Sequence, residues 1–200
     1  MPASKEILDY LTQPDNLKLA LEMSEHLDEL KRKTHQDFWV YMNQDMKRRI
    51  AECAPGSQWT FMEFPVRRLR SNWEKSYIVP ILRNPSTPYL SLALGQATSD
   101  NNFHLMWGVQ WNNNSENFEH PALTQLKGMV IACGASTVEL PKWLGWSFLP
   151  YIPFTHNYIH QMYSNKVAFI HEISEFIWNA FTKLQPLMDE VNMLRISEKK

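Results

Sequence analysis

The sequence predicts an α+β fold: an antiparallel four-stranded meander flanked by two long amphipathic helices and one short helix. Three observations carry that prediction. In the stretch FHLMWGVQW, Phe103, Leu105, Trp107, Val109 and Trp111 fall on every second position, so a strand there puts all five on one sheet face. Two longer stretches repeat apolar residues at helical spacing instead, Ala20, Met23, Leu27, Leu30, Thr34, Phe38, Tyr41 and Met42 in the first. Ile159, Met162, Tyr163, Val167, Ile170, Ile173, Phe176, Ile177, Phe181 and Leu184 form the second. Between these helices, short apolar runs are separated by turn-forming clusters at 83–88, 98–102 and 112–115, the pattern of a meander.

Taken in order, residues 1–14 read as an N-terminal tail, 15–196 as a single domain and 197–200 as a C-terminal tail. Asp15 is the expected N-cap of a helix over 16–52, with Lys47, Arg48 and Arg49 near its C-terminus and Ala54-Pro55-Gly56 as its stop. Unbroken, that helix would run about 55 Å at about 1.5 Å per residue, more than one small core needs. Either it breaks near residues 34–37, or it forms an arm that packs on a partner. Strands are expected at 58–64, 76–83, 89–96 and 102–111. Pro121 suits the first turn of a helix over 122–133 that Gly134 ends. The aromatic segment 141–154 reads as an ordered loop or short strand, and a last helix covers 156–184 before Pro186 kinks or ends it.

Eight tryptophans in 200 residues give this domain a heavy core, and Trp107, Trp111, Trp143 and Trp146 cluster in two stretches. A chain of this length buries roughly 70% of the surface its unfolded form exposes, so it folds without disulfide or metal. Cys53 and Cys133, at the ends of expected helices and with no CxxC spacing, indicate a reducing compartment and no redox site. No apolar run approaches the roughly 20 residues of a membrane span, and the first residues lack the apolar centre of a signal peptide. The expected location is cytoplasmic, with no membrane partner. Charge is segregated: residues 1–30 carry 2 basic and 7 acidic groups, whereas 31–83 carry 11 basic and 5 acidic groups.

Familiar catalytic strings are missing. Six glycines with neither GxGxxG nor GxxxxGK[ST] argue against phosphate-binding loops, and no GxSxG elbow exists. His156 and His160 share the spacing of metal-binding helices, but Asn157 stands where a metalloprotease helix carries its glutamate. Glu29-Leu30-Lys31 and Asp45-Met46-Lys47 match the nuclease string [DE]xK, yet both fall in the first expected helix and not on a strand. The expectation is no catalytic residue, no metal and no cofactor. The candidate binding residues are Arg67, Arg68, Arg70, Trp73 and Lys75 in PVRRLRSNWEKS, where arginines around an aromatic suit a phosphate backbone with an exposed base. The plainer account of that block is a solvated loop that pairs with the acidic first thirty residues.

A leucine-rich helix leads to a Phe-Trp pair in ILDYLTQPDNLKLALEMSEHLDELKRKTHQDFWVYM, followed by the strand HLMWGVQW, the segment WLGWSFLPYIPF and a closing amphipathic helix. This order resembles the C-terminal half of bacterial proteins of the PD-(D/E)XK nuclease superfamily, over most of residues 7–185. The nuclease lobe with its strand-borne carboxylates is absent, so no catalytic residue carries over. The resemblance implies a non-catalytic recognition module from a nuclease, defence or mobile-element setting.

Three functions remain in view. The first is a module that binds DNA or RNA through the basic block, or a protein through its long helices. The second is oligomerisation or inhibition through helix 16–52, including a homodimer. The third is an enzyme of unrecognised type using His104, His156 and His160. It ranks last, because His104 points away from the Trp107 face.

Overall fold

The computed structural model describes residues 5–68, 76–87, 89–99, 102–112, 118–136 and 142–198. Helix α1 (Lys5–Leu11) and helix α2 (Pro14–Cys53) come first, then strand β1 (Thr60–Phe61) and a 3-10 turn at Val66–Arg68. Strands β2 (Tyr77–Arg83), β3 (Leu90–Ser99) and β4 (Asn102–Trp111) follow, then helix α3 (Pro121–Ala132) and strand β5 (Trp143–Phe148). Helices α4 (His156–Ser164) and α5 (Lys166–Glu198) close the chain. All strands pair antiparallel in the order β1-β2-β3-β4-β5.

The alternation in β4 has its expected consequence. Leu90, Leu92, Leu94 and Gln96 of β3 pair with Trp111, Val109, Trp107 and Leu105 of β4, which fixes one shared face. Helices cover it: the Trp107 ring meets Phe176 of α5 edge-on at 5.3 Å, and Gln96 reaches His35 of α2. The other face of this pair carries Ser91, Ala93, Gly95 and Ala97 opposite Gln110, Gly108, Met106 and His104. His104 therefore does point away from Trp107, and it stacks on Phe148 at 4.4 Å.

Several expectations need correction. The sheet has five strands and not four, because Trp143–Phe148 pairs along β4 and is not a loop. The strand expected at 58–64 shrinks to Thr60–Phe61, since Asn43 of α2 takes the backbone N–H and C=O of Phe64 at 2.9 and 3.0 Å in place of a neighbouring strand. Residues 5–11 of the expected tail are helical, and Gln13, with Pro14 behind it, caps α2 in place of Asp15. The last helix is divided at Asn165, whose N–H ends α4 on Gln161 and whose carbonyl starts α5 by accepting from Phe169. That division turns Tyr163 and Val167 outward, 60% and 79% exposed, although the periodicity counted them as core. Pro186 does not end α5: Met188, Val191 and Asn192 beyond it are fully buried, and this packing outweighs the hydrogen bond that proline removes.

Helix α2 does not break near residues 34–37. Its 40 residues contain no glycine and no proline after Pro14, and Thr34 there is accommodated by returning its hydroxyl to the Leu30 carbonyl at 2.7 Å. It is thus about 60 Å long at about 1.5 Å per residue, and its first buried residue is Thr34. The preceding half projects beyond the body as an arm.

Candidate functional site

Where α2 enters the body it carries a buried polar cluster. His35 is fully buried, with Nδ1 3.1 Å from the Tyr158 hydroxyl and Nε2 against Gln96 Oε1. Trp39 Nε1 approaches the same Gln96 oxygen at 3.3 Å. One proton arrangement satisfies every group: Nε2–H and the indole N–H both donate to Gln96, and Tyr158 donates to Nδ1. The 3.1 Å between Trp39 Nε1 and His35 Nε2 is then two donors converging on one oxygen. Burial drives the imidazole pKa down to about 4 against the opposing pull of Gln96, and burial alone pushes Tyr158 well above the usual phenol range. The cluster is neutral at physiological pH. Phe154, held at φ 69° in the segment after β5, closes it edge-on at 5.1 Å from the imidazole. Its task is to join α2, β3 and α4.

A second cluster clamps α2 to α5. Asp45 Oδ2 accepts from Arg49 Nε at 2.9 Å and from Ser174 Oγ, while Oδ1 accepts from Arg48 Nη2 at 2.7 Å. Arg49 Nη2 also donates to the His171 carbonyl at 3.1 Å and lies 3.0 Å from His171 Nδ1. Burial works against the charge on Asp45, but the hydrogen bonds from Ser174, Arg48 and Arg49 outweigh it and hold the carboxyl below its usual range. A serine, a histidine and an aspartate meet here, yet the His171 ring faces Arg49 and Glu175 and not the Ser174 hydroxyl. Ser174 donates to a carboxylate that arginines already satisfy, so no base activates it. The sequence could have revealed half of this clamp, because Asp45 precedes Arg48 and Arg49 at helical spacing. Asp45→Ala should cost about 2 kcal/mol, chiefly by leaving the Arg49 guanidinium without its counter-charge. Its pH signature follows from the lowered carboxyl: the contribution is whole above the usual carboxylate range and is lost as acid titrates the folded group. Urea melts of the two proteins at pH values on either side of that range would show it.

Of the expected binding residues, Arg67 is exposed at the edge of a cavity of about 600 Å³ that Lys47, Glu63, Phe64 and Pro65 also line. The backbone of Arg68 lies in the adjoining 3-10 turn, and Arg70, Trp73 and Lys75 lie outside the described residues. Lys47 is engaged by Glu63, and Trp39 stacks on Phe64 at 3.7 Å beneath the cavity. The pairing of this block with the acidic first thirty residues does not occur among the described residues, where the arm's ion pairs join helical neighbours such as Lys18–Glu22 and Lys31–Asp28. His156 and His160 stack at 6.1 Å on the exposed side of α4, and no group of three potential metal ligands exists among the described residues. The two [DE]xK strings lie on α2, as expected, with Asp45 committed to the clamp. No described helix is long and apolar enough to cross a membrane.

The arm carries what the sequence placed only by its length. Leu19, Leu21 and Met23 are 56%, 58% and 65% exposed, and Leu27 and Leu30 remain open. With Leu11 of α1, the residues Leu19, Met23, Leu27 and Leu30 line an apolar groove of about 740 Å³, flanked by Glu22 and His26. The fold is thus a body bearing a projecting helical arm with an exposed apolar groove. Among known family models, curated proteins and solved structures, none matches this chain.

Proposed function

We propose that the protein is a non-catalytic recognition module that acts by docking a protein partner on the apolar groove of the arm. One observation carries the reading: every described residue up to Leu30 is exposed or only part-buried, although leucine and methionine dominate the groove. Contiguous apolar surface of this kind marks an interaction site, whereas scattered exposed leucines do not. The resemblance to the non-catalytic half of PD-(D/E)XK nucleases supports the same reading, and it suggests a nuclease or defence setting.

Met23→Asp/Leu27→Asp should leave the melting temperature almost unchanged, because neither side chain contributes to the core. It should also remove the binding of an environment-sensitive hydrophobic dye. A large fall in melting temperature would show that the arm packs on its own body and would overturn the reading. A second version, in which Arg67 and the rest of the basic block hold nucleic acid, rests on the exposure of Arg67. It requires oligonucleotide binding that weakens steeply with salt and disappears in Arg67→Ala/Arg68→Ala/Arg70→Ala.

A further inference from the structure

We infer that a small polar pocket, between the chain leading into β1, the β2–β3 turn and α5, is a binding site for a primary ammonium group. It shares no residue with the groove of the arm, so the two readings stand or fall separately.

Three segments far apart in sequence build it. Gln58 and Trp59 precede β1, Asn84 and Thr87 belong to the turn between β2 and β3, and Asp189 and Met193 come from α5, around a cavity of about 220 Å³. Asp189 reaches it because α5 continues through Pro186, which keeps Gln185 and Asp189 one turn apart on the same face. The indole N–H of Trp59 donates to Asp189 Oδ1 at 2.9 Å and fixes the carboxylate. Trp59 is itself buried and meets Phe181 edge-on at 5.2 Å, so the donor is held rigidly.

What these bonds leave over points to a cation. Oδ2 of Asp189 has only the Gln185 amide at 3.5 Å, and Asp189 belongs to no ion pair among the described residues. Among the described residues, no lysine, arginine or histidine lines the cavity, so the pocket is negative. The Thr87 hydroxyl is buried without a hydrogen-bond partner, and Gln58 Oε1 accepts only a long contact from Asn84 at 3.4 Å. An unmatched carboxylate and an unpartnered hydroxyl both cost free energy, and a guest with one positive charge and three N–H donors relieves both. A hard metal ion fits less well, because calcium takes about six to eight oxygens, usually with several carboxylates, and Asp189 is the only acid here. The cavity is smaller than the roughly 300–1,000 Å³ of drug-sized sites, so it admits an amine head on a short chain. The exposed Met193 offers that chain an apolar wall.

Titration of the full chain with n-butylammonium chloride at constant ionic strength, followed by two-dimensional proton–nitrogen NMR, tests this. The expected result is a saturable shift of the Trp59 indole N–H peak, identified by its loss in Trp59→Phe, with dissociation on the order of 1 mM. Asp189→Asn keeps an acceptor for the indole but removes the charge, and it should weaken binding by about tenfold or more. Thr87→Val should leave the melting temperature unchanged or raise it, and should weaken binding about three- to tenfold. A Trp59 peak that stays in place far above that concentration, or a shift that both variants leave intact, would remove the site. An equal shift with tetramethylammonium, which has no N–H to donate, would reduce it to a general attraction for cations and overturn the ammonium assignment. Nα-acetyl-lysine methylamide then separates the sources of the group. Bound as tightly as butylammonium, it identifies a lysine side chain of a partner; excluded while butylammonium binds, it identifies a free amine.

Discussion

Acidification from neutrality to about pH 4 should cost the fold about 3 kcal/mol through a single residue, His35. Its imidazole titrates at the ordinary 6.5 in the unfolded chain and at about 4 in the folded one. Between those values the unfolded state holds the extra proton, so stability rises with pH across the window. The contribution is whole above 6.5, declines as the pH falls, and is exhausted near 4. Burial is the leading cause: a charged imidazole enclosed by Phe38, Phe154 and Tyr158 would lose its hydration and keep only Gln96 as compensation. His35→Gln should lower stability at neutral pH, yet flatten the dependence of the urea midpoint on pH between 6.5 and 4. An equally steep profile in that variant would assign the acid sensitivity to other groups. The clamp at Asp45 titrates below this window, so the two effects separate on the pH axis.

Gly108→Val should damage the sheet severely, at about 3 kcal/mol or more. A β carbon at Gly108 would stand 2.4 Å from the Gly145 carbonyl oxygen and 2.8 Å from Trp146 Cα. Both obstacles are backbone atoms of β5, so no side-chain rotation relieves them. The strand would have to move, and Gly108 pairs with Trp146 at the centre of the β4–β5 register. Gly128, on the exposed side of α3, has nothing within 4 Å of the same construction. Gly128→Ala should therefore be neutral or slightly stabilising by its helix propensity. Thermal melts of the two variants would show a large downward shift for the first and none for the second.

The parts of the fold that were legible in the sequence are those with a repeated physical cause. Strict alternation in FHLMWGVQW reports one strand with a covered face, and the observed register from Leu90↔Trp111 to Gln96↔Leu105 agrees. Pro121 and Gly134 bracket α3 because one needs no N–H donor and the other adopts φ 98°. The misread elements depend on partners distant in sequence. Trp143–Phe148 is a strand because β4 offers it a free edge, and Asn43 draws the chain at Phe64 out of the sheet. Pro186 continues inside a helix because the residues after it are needed in the core.

The binding surface divides in the same way. Arg67 and its neighbours were legible as a charge pattern, whereas the exposed arm was legible only as a length that no small core could use. Apolar periodicity does not distinguish a stripe that meets the sheet from one that overhangs it: Leu27 and Phe38 obey the same spacing, yet one is 43% exposed and the other fully buried. By itself the sequence determined the α+β class, the helical and strand periods, and the segregation of acid from base, since each is set by local sterics or composition. Only the tertiary structure decided where α2 leaves the body, that His35 is sealed into it as a neutral group, and which leucines remain without cover. Those outcomes depend on how far the sheet extends, and that is fixed by contacts between residues far apart in the chain.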